Sequence, residues 1–345
     1  PRVEAPANPP DRSWYKAVMR GSESELPLGW IAERAGAQRA ISGDAIQSLW
    51  SGYGEIRRVH LEGGPIESVV VKRVTPPEAR RQRENDASHQ RKLRSYAVEC
   101  AFYESTAERC TAISRVPRCL GTRRLSTPEG WLFVLEDLDA SGFPERRRSV
   151  SESEIELCLT WLADFHAVFL GQPPTDLWKT GTYWHLATRR DELPAISDAR
   201  LRRAAPTLDA RLNACKFKTL VHGDAKLANF CFGQRGVAAV DFQYVGGGSG
   251  IKDVAYFFSS CWDAQECEAR TPHTLELYFR ILRARMTERR PELDSATRAG
   301  VEDEWRQLYP IAWADLCRFL AGWAPGHWQA YVDAGGLLRQ TLDQL

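Results

Sequence analysis

The chain has 345 residues, of which 43% are hydrophobic and 26% charged, and these values are typical of a folded globular protein. Its net charge of +1 at pH 7 provides no overall field that would favour nucleic acid or a membrane surface as a partner. The nine cysteines show no CxxC pair and no zinc-ligand spacing, and no apolar run reaches the length of a transmembrane helix. These features predict a reduced, cytoplasmic protein that binds neither nucleic acid nor membrane, and they leave its oligomeric state open.

The first strand signals lie in two segments, EIRRVHL at residues 55–61 and IESVVVKRV at residues 66–74. Both are rich in strand-forming residues, and the glycine-containing stretch between them is typical of a hairpin turn. Gly52 and Gly54 precede the first segment and predict a tight bend at which the backbone can approach a ligand closely. We therefore expect a β-hairpin near the start of the fold.

Helical periodicity follows over residues 86–110, where apolar side chains recur at intervals of three and four residues. WLFVLEDL, residues 131–138, predicts a short strand that ends in acidic residues. Residues 151–171 predict a second helix, because their apolar residues form one stripe and Ser151 is suited to cap the first turn.

The C-terminal half is predicted to be mostly helical from residue 251 onward. Before that point, residues 236–245 predict a short strand, and the glycine run at 246–250 predicts a mobile turn. With strands early and helices late, the sequence predicts an α+β fold of two lobes. A small mixed β/α N-lobe would span residues 1–138, including a flexible Pro-rich N-terminus, and a larger, mainly helical C-lobe would span residues 139–345.

LVHGDAKLANFCF, residues 220–232, places four polar side chains among apolar residues, and buried polar groups need partners or a ligand. Phosphoryl transfer from ATP needs a lysine for the phosphates, oxygen ligands for Mg²⁺ and a carboxylate that accepts a proton. The chain contains these groups in a consistent order: Lys72 in VVVKRV, Asp224 and Asn229 in one loop, and Asp241 twelve residues further on. Two short strands joined by a turn would bring Asn229 and Asp241 side by side.

HGDAKLAN followed by VDFQ resembles the catalytic and metal motifs of the aminoglycoside phosphotransferase and choline kinase superfamily, which shares the protein-kinase-like fold. DFQ with a later DVAYFF, and VECAFYE in the early helix, are most similar to the ecdysteroid-kinase-like branch of that superfamily. The resemblance runs from about Trp50 to about Trp262. It implies a kinase that uses ATP and Mg²⁺ to phosphorylate a hydroxyl group of a small molecule.

The resemblance also implies a role for each matching residue. It assigns catalysis and metal binding to four positions in the C-lobe: Asp224 as the base, Lys226 near the transferred phosphate, and Asn229 and Asp241 as Mg²⁺ ligands. It assigns ATP binding to six positions in the N-lobe: Gly52, Gly54, Lys72, its acidic partner Glu99, and the backbone of Glu136 and Leu138 at the adenine. His222 and Asp253 would brace the catalytic loop.

The acidic partner of Lys72 stays open at this point. The family pattern points to Glu99, whereas the helical wheel places Glu104 nearer the centre of the apolar face and Glu99 at its edge. We expect Glu99, because a residue at the edge of the apolar face can reach the cleft.

The acceptor is not specified by the sequence. The late aromatic residues fit a sterol-like alcohol, and they also fit a choline-like amino alcohol held by cation–π contacts. Walls of the acceptor site are expected from five of them: Tyr183, Trp184, Trp262, Trp313 and Trp323. Gln243 replaces the glycine of DFG and no DFG-to-APE activation region follows, which argues against a protein kinase. A catalytically inactive pseudokinase and an antibiotic phosphotransferase are the alternatives.

Overall fold

The structure is a computed structural model that describes residues 26–77, 86–126, 129–325 and 336–345. The predicted flexible, Pro-rich N-terminus lies outside these residues. The described part contains one five-stranded sheet and two two-stranded sheets, and the remainder is mainly helical.

The N-terminal part is a five-stranded antiparallel sheet. Its strands are β1 (Arg39–Ser48), β2 (Gly54–Glu62), β3 (Ser68–Val74), β4 (Cys119–Ser126) and β5 (Glu129–Glu136). They lie side by side in the order β1-β2-β3-β5-β4. β2 and β3 form the predicted hairpin, in which Ile56 faces Lys72 across the two strands. The strand predicted at residues 131–138 corresponds to β5, which lies beside β3.

Side chains along β3 alternate between the two faces of the sheet. Val69 and Val71 lie in a hydrophobic cluster with residues of helix α1 (Leu28–Ala35). Lys72 points to the opposite face, on the same side as Phe133 of β5, whose ring belongs to the main core. The lysine therefore faces the C-terminal part of the molecule.

Helix α2 (Ala87–Ala101) begins after Asp86, whose carboxylate accepts hydrogen bonds from backbone N–H groups of the first turn. The helix continues in a wider turn over Phe102–Thr106 and a tighter turn over Ala107–Arg109. Together these segments confirm the helical stretch predicted over residues 86–110.

The C-terminal part is mainly helical. Its helices are α3 (Glu152–Phe169), α4 (Ala199–Asn213), α5 (Ile251–Cys261), α6 (Ala264–Arg289), α7 (Ser295–Trp323) and α8 (Gly336–Asp343). α3 is the helix predicted after Ser151, which caps it through reciprocal hydrogen bonds with Glu154. α3 packs against α6, and α5 packs against α7, around the main hydrophobic core. Within the described ranges, no helix is both long enough and apolar enough to cross a membrane.

Two small antiparallel sheets flank the loop of residues 222–229. Their strands are β6 (Thr219–Val221), β7 (Phe230–Gly233), β8 (Gly236–Ala239) and β9 (Gly246–Gly248). β7 and β8 form a hairpin, and the backbone N–H of Val240 donates to the carbonyl oxygen of Asn229 at 3.0 Å. As predicted, a turn between short strands brings the neighbourhoods of Asn229 and Asp241 together.

The prediction of a mobile turn at residues 246–250 is wrong. These residues are buried, and β9 pairs with β6. A Cβ atom on Gly246 would lie 2.1 Å from the carbonyl oxygen of Trp178, so the missing side chain permits close backbone packing. The glycine run therefore serves packing and not flexibility.

This architecture confirms the predicted α+β fold, with a small mixed lobe followed by a larger, mainly helical lobe. The lobe boundary at residues 138 and 139 stays a prediction. It falls in the turn that follows β5, where the backbone N–H of Ser141 donates to the carbonyl oxygen of Asp137 at 3.0 Å.

Candidate active site

Lys72 on β3 is buried and bonded to Glu99 on α2. Its Nζ lies 2.9 Å from Oε1 and 2.7 Å from Oε2 of Glu99, and 3.7 Å from Oδ1 of Asp241. Only 4% of Lys72 and 1% of Glu99 is exposed, so each charge depends on the other for compensation. Burial lowers the pKa of Lys72, but the charges of Glu99 and Asp241 outweigh burial and raise the pKa above its ordinary value. The ammonium group is therefore charged.

Glu104 does not reach Lys72. Its carboxylate accepts hydrogen bonds from the hydroxyl of Thr122 on β4 and from Sγ of Cys100, the latter at 3.3 Å. The helical wheel assumes 3.6 residues per turn, whereas Phe102–Thr106 forms a wider turn that changes the direction of Glu104. The structure thus pairs Lys72 with Glu99, the residue at the edge of the apolar face of the helix.

The loop between β6 and β7 brings Asp224, Lys226 and Asn229 within hydrogen-bonding distance of one another. Oδ2 of Asp224 accepts from Nζ of Lys226 at 3.0 Å and from Nδ2 of Asn229 at 3.0 Å. Nδ2 of Asn229 also donates to the carbonyl oxygen of Asp224 at 2.8 Å. The carboxylate of Asp224 raises the pKa of Lys226 above its ordinary value, so the ammonium group stays charged. Oδ1 of Asp224 is buried and accepts no hydrogen bond from the described residues, which leaves it for a ligand.

Asp253 on α5 holds this loop in place. Its two carboxylate oxygens accept hydrogen bonds from the backbone N–H groups of His222 at 2.6 Å and Gly223 at 2.9 Å. Nε2 of His166 on α3 lies 3.1 Å from Asp253, and Nδ1 of His166 lies 2.9 Å from the hydroxyl of Tyr278 on α6. The contacts agree with the prediction that His222 and Asp253 brace the loop, and they extend the brace into the core.

Local geometry explains why histidine and glycine precede Asp224. Nδ1 of His222 accepts from the backbone N–H of Asp224 at 3.2 Å, and Nε2 lies 3.1 Å from the carbonyl oxygen of Val240. Because one ring nitrogen accepts and the other donates, the ring is neutral, and burial lowers its pKa. Gly223 has a φ of +80°, and a Cβ atom there would lie 2.1 Å from the carbonyl oxygen of Tyr244. Only glycine fits at this position.

Asp241 lies two residues after β8 in the left-handed conformation, with a φ of +71°. Nε2 of Gln243 donates to its Oδ1 at 2.7 Å, and Oε1 of Gln243 accepts from the hydroxyl of Ser95 on α2 at 3.1 Å. Burial alone would raise the pKa of Asp241, but the charges of Lys72 and two other lysines lower it below its ordinary value. Asp241 is therefore an ionised carboxylate.

Asn229 and Asp241 are the two residues predicted to bind a cation. Because Nδ2 of Asn229 is bonded to Asp224, its carboxamide oxygen is left for a ligand, and 34% of the Asp241 side chain is exposed. Among the described residues, no group of three His, Cys, Asp or Glu side chains could hold a metal by itself. The pair therefore fits Mg²⁺, which typically binds one or two carboxylates together with phosphate oxygens and water.

Gly52 lies in the turn between β1 and β2, and Gly54 is the first residue of β2; their φ values are +74° and +133°. A Cβ atom on Gly54 would lie 2.0 Å from the carbonyl oxygen of Arg73, so strand packing alone already requires glycine there. Between the two glycines, Tyr53 is buried, and its hydroxyl lies 2.6 Å from Nδ1 of His89 on α2. The turn is thus anchored to the helix that carries Glu99.

Glu136 and Leu138 lie at the end of β5 and in the turn after it. The Glu136 carboxylate accepts hydrogen bonds from Arg115 at 2.5 Å, and the Glu136 backbone N–H donates to the carbonyl oxygen of Arg118 at 2.8 Å. The carbonyl oxygen of Leu138 accepts from the backbone N–H of Phe143 at 2.8 Å. An adenine ring would therefore have to compete with Phe143 for that carbonyl oxygen.

Two of the aromatic residues predicted to line an acceptor site, Tyr183 and Trp323, lie near the catalytic loop. The backbone N–H of Tyr183 donates to the carbonyl oxygen of Gly223 at 2.7 Å, which fixes Tyr183 beside Asp224. The ring centroids of Tyr183 and Trp323 are 6.3 Å apart, and those of Trp184 and Tyr256 are 4.7 Å apart. By contrast, Trp184 is fully buried in a small cluster with Leu316 and Phe319, and Trp262 and Trp313 are buried in the main hydrophobic core. These three side chains are packing residues.

Two side chains that the sequence does not single out lie near the site, Lys92 and Arg189, and Gln243, noted only for replacing the glycine of DFG, is bonded to Asp241. Lys92 could have been found, because Lys92, Tyr96 and Glu99 share one helical face at spacings of four and three. Its Nζ lies 5.4 Å from the ring centroid of Tyr96, and Nζ of Lys72 lies 5.5 Å from the same centroid. The VDFQ motif marks Gln243 but not its bond to Asp241, and no local pattern marks Arg189, six residues after Tyr183.

Comparison with solved structures gives distant similarities of fold. The chain is 11% identical to a choline kinase from Cryptosporidium parvum Iowa II, with a TM-score of 0.50 over 86% of this chain and 90% of that one. A microcompartment-associated aminopropanol kinase gives 16% identity and a TM-score of 0.49 over 88% and 91% of the two chains. The amicoumacin kinase hAmiN, in complex with AMP-PNP, Ca²⁺ and Ami, gives 13% identity and a TM-score of 0.49 over 92% of this chain and 94% of that one. No curated protein sequence matches the chain.

A protein-kinase-like fold, with a strand lysine and a loop aspartate gathered between its two lobes, defines a phosphoryl-transfer enzyme. The chain belongs to the phosphotransferase enzyme family, whose model matches residues 46–311. This membership confirms the predicted aminoglycoside phosphotransferase and choline kinase superfamily and the predicted enzyme class, a phosphotransferase with an alcohol group as acceptor. The acceptor is a small molecule that the comparisons do not identify.

Proposed function

We propose that the protein is an ATP-dependent small-molecule kinase of the ecdysteroid-kinase-like branch, which transfers the γ-phosphate of ATP to a hydroxyl group. The observation that carries this proposal is that Asp241 joins the strand lysine to the catalytic loop. Its Oδ1 lies 3.7 Å from Nζ of Lys72, and the preceding backbone N–H, that of Val240, bonds to Asn229, whose carboxamide bonds to Asp224. Structural burial alone would not require three charged groups from three distant segments to meet.

The roles of the residues follow from their positions. Lys72, oriented by Glu99, would bind the α- and β-phosphates, while Gly52 and Gly54 bring the first turn of the sheet towards them. The backbone of Glu136 and Leu138 would lie against the adenine, with the amide N–H of Leu138 as its donor. These assignments give the N-lobe the task of holding the nucleotide.

Asn229 and Asp241 would hold Mg²⁺, which when bound neutralises charge on the phosphates. Oδ1 of Asp224, the oxygen without a donor, would accept the proton of the acceptor hydroxyl. The acceptor oxygen then forms a bond to the γ-phosphorus while the bond to the bridging oxygen breaks, and the electron pair stays on ADP. Lys226, 3.0 Å from Asp224, would stabilise the negative charge of the transferred phosphate.

The complete set of residues favours catalysis over a nucleotide-binding pseudokinase, which would lack at least one of them. The free thiols of all nine cysteines support a reducing cytoplasmic location. The acceptor would lie against Tyr183 and Trp323, and a sterol-like alcohol and a choline-like amino alcohol both fit aromatic walls of this kind.

The experiment is incubation of the protein with Mg-ATP and a metabolite extract, followed by mass spectrometry for compounds heavier by one phosphate. We expect such a compound with the wild type and its loss with Asp224→Asn, which keeps the size of the side chain. A wild-type protein that binds Mg-ATP but yields no phosphorylated compound from any extract would support the pseudokinase instead.

A further inference from the structure

Arg189 lies across the ring of Tyr183, beside the catalytic loop. Its guanidinium carbon is 4.1 Å from the ring centroid of Tyr183 and 5.6 Å from that of Phe319 on α7. Its Nε donates to the carbonyl oxygen of Tyr183 at 3.1 Å, and its Nη1 donates to Oε1 of Glu192 at 3.2 Å. A cation of the protein itself therefore occupies one face of the aromatic ring that a quaternary ammonium group would use.

Other charges near Tyr183 are also mostly positive. Arg91 on α2 donates to the carbonyl oxygen of Thr188 at 2.8 Å, and it forms no ion pair within the described ranges. Lys226 lies on the other side, 3.0 Å from Asp224. Burial raises the pKa of the Tyr183 hydroxyl; of the nearby charges, Arg189, Lys226 and Arg91 oppose that rise, and the carboxylate of Asp224 adds to it.

Each carboxylate of this neighbourhood is paired with a cation, and one oxygen of each, Oδ1 of Asp224 and Oε2 of Glu192, is buried without a hydrogen bond from the described residues. Asp224 is the proposed base, and Glu192 is paired with Arg189. The side chain of Glu192 is 13% exposed and that of Arg189 is 8% exposed. Of the four charges that act most strongly on the Tyr183 hydroxyl, three are positive, and the carboxylate of Asp224 is paired with Lys226. An amine at this ring would therefore lose its hydration beside the guanidinium group of Arg189, and each nearby carboxylate is already neutralised by a cation of the protein.

The remaining surface beside the loop is aromatic. Phe319 and Trp323 are stacked with ring centroids 5.5 Å apart, and 40% of Trp323 is exposed. Two buried polar atoms next to Tyr183 make no hydrogen bond within the described residues, Oγ1 of Thr182 and Nε1 of Trp184. The site thus offers aromatic surface, hydrogen-bonding groups and positive charge, which suits an alcohol with an apolar ring and either no charge or a negative one.

We propose that the phosphate acceptor carries no positive charge, and that Arg189 selects against amines by occupying the cation-binding face of Tyr183. This proposal rests on the proposed function and decides between its two acceptor classes: a sterol-like or anionic alcohol is accepted, and a choline-like amino alcohol is rejected. Arg189 is then a specificity residue with no part in the chemical step.

The first test separates a metabolite extract on a strong cation exchanger at mildly acidic pH and assays each fraction with radiolabelled Mg-ATP. We expect phosphoryl transfer with the unretained neutral and anionic compounds, and none with the retained amines or with added choline. Transfer confined to the retained fraction, or phosphorylation of choline, overturns the proposal while leaving the kinase function intact. Absence of transfer in every fraction, from protein that still binds Mg-ATP, overturns the proposed function and this proposal with it.

The second test uses the two partners of one ion pair, so that both variants remove the same contact. Arg189→Gln is expected to raise the KM for the active fraction about tenfold or more, the range of a lost charge-assisted interaction, and to make choline a substrate or competitor. Glu192→Gln is expected to change the acceptor KM less than threefold, and the ATP KM stays constant in both. The reverse order of effects, with Glu192→Gln weakening acceptor binding more than Arg189→Gln, would identify an amine acceptor.

Tyr183→Phe guards against misfolding of these variants. It removes one hydroxyl group and leaves the ring contacts with Arg189 and Phe319 in place. Because Arg189 still covers the ring, we expect choline to stay excluded, with an unchanged melting temperature and an unchanged KM for ATP. Phosphorylation of choline by Tyr183→Phe would contradict the proposal.

Discussion

Gln243 donates a hydrogen bond to the carboxylate of Asp241 at 2.7 Å, at the position where DFG has glycine. The same carboxamide accepts from Ser95 at 3.1 Å, so it joins Asp241 to the helix that carries Glu99. Asp241 is held in the left-handed region, which typically costs about 1–3 kcal/mol for residues other than glycine and persists only where the surroundings enforce it. Gln243 supplies part of that enforcement.

Replacing Gln243 by Ala should therefore weaken the binding of Mg-ATP. A hydrogen bond to a charged group typically contributes about 1.5–3 kcal/mol, so the dissociation constant should rise about tenfold or more. Isothermal calorimetry measures it. Ser95→Ala is the matched control: it removes the link to α2 but leaves the bond to Asp241, and a smaller loss is expected. Equal affinities in Gln243→Ala and the wild type would mean that Asp241 needs no such support.

The partner of Lys72 can be tested by a pair of isosteric changes. Glu99→Gln should raise the KM for ATP about tenfold or more, because the buried ammonium loses its charge compensation. Lys72→Met should weaken ATP use as well, with the fold retained. Glu104→Gln is the control, since Glu104 contacts Thr122 and not Lys72. If Glu104→Gln were the more damaging change, the assignment on α2 would be wrong.

The two aspartates should fail in different ways. Asp224→Asn removes the proton acceptor and should slow single-turnover transfer about 10²–10⁴-fold while Mg-ATP still binds. Asp241→Asn removes a metal ligand and should lose Mg-ATP affinity together with turnover. Calorimetry and rapid quench on both variants separate the two outcomes. Normal turnover by Asp224→Asn would remove the catalytic loop from the mechanism.

Trp313 and Trp323 should respond differently to truncation, although both are predicted walls of the acceptor site. Trp313 is 6% exposed and lies in the main core, so Trp313→Ala should lower the free energy of unfolding by about 3–5 kcal/mol. Trp323 is 40% exposed, and Trp323→Ala should raise the acceptor KM more than the ATP KM. Chemical denaturation and steady-state kinetics on each variant check this. A large stability loss in Trp323→Ala would mark it as a packing residue.

The neutral, buried ring of His222 predicts a dependence of stability on pH. Its pKa in the folded state is lowered by burial, whereas an unfolded histidine titrates at about 6.5. Below about pH 6.5, His222 binds a proton in the unfolded chain but stays neutral in the folded chain. Its contribution therefore lowers the free energy of unfolding as the pH falls. The loss between about pH 7.5 and 5.5 is at most about 1.4 kcal/mol for one proton.

The measurement is denaturation of the wild type and of His222→Gln at both pH values. His222→Gln should lower the free energy of unfolding at pH 7.5. At pH 5.5 the difference from the wild type should be about 1 kcal/mol smaller, because the unfolded variant has no histidine at this position to bind a proton. His60→Gln, at an exposed histidine of β2, is the control, and its difference in unfolding free energy from the wild type should be the same at both pH values. A gap that is the same at both pH values would show that His222 does not govern this dependence.

The sequence predicts those parts of the molecule in which local chemistry decides the structure. The hairpin of β2 and β3 has strand-forming residues on both sides of a glycine turn, and α3 has both a cap and an apolar stripe. The order of Lys72, Asp224 and Asp241 predicts the residues that meet, because phosphoryl transfer needs those chemical types in one cleft.

Other elements depend on contacts that no local pattern carries. Most side chains of β1 are exposed or half-buried, so its sequence has no apolar alternation, and pairing with β2 defines the strand. The glycines of β9 are buried against Trp178, although an isolated glycine run is typical of a turn. Arg189 lies six residues after Tyr183 in a polar, irregular segment, and no periodic pattern predicts that its side chain turns back over that ring.

The brace formed by Asp253, His166 and Tyr278 has a consequence for where conformational freedom is left in the cleft. Asp253 accepts hydrogen bonds from the backbone N–H groups of His222 and Gly223, so the core of the C-lobe already holds Asp224 in position. Substrate binding therefore costs little conformational entropy in that loop. The reorganisation that accompanies each turnover must then fall on other groups, such as the side chain of Lys226. A substitution that creates a cavity beside Tyr278, far from either substrate, should therefore reduce the turnover rate more than it reduces the affinity for the nucleotide.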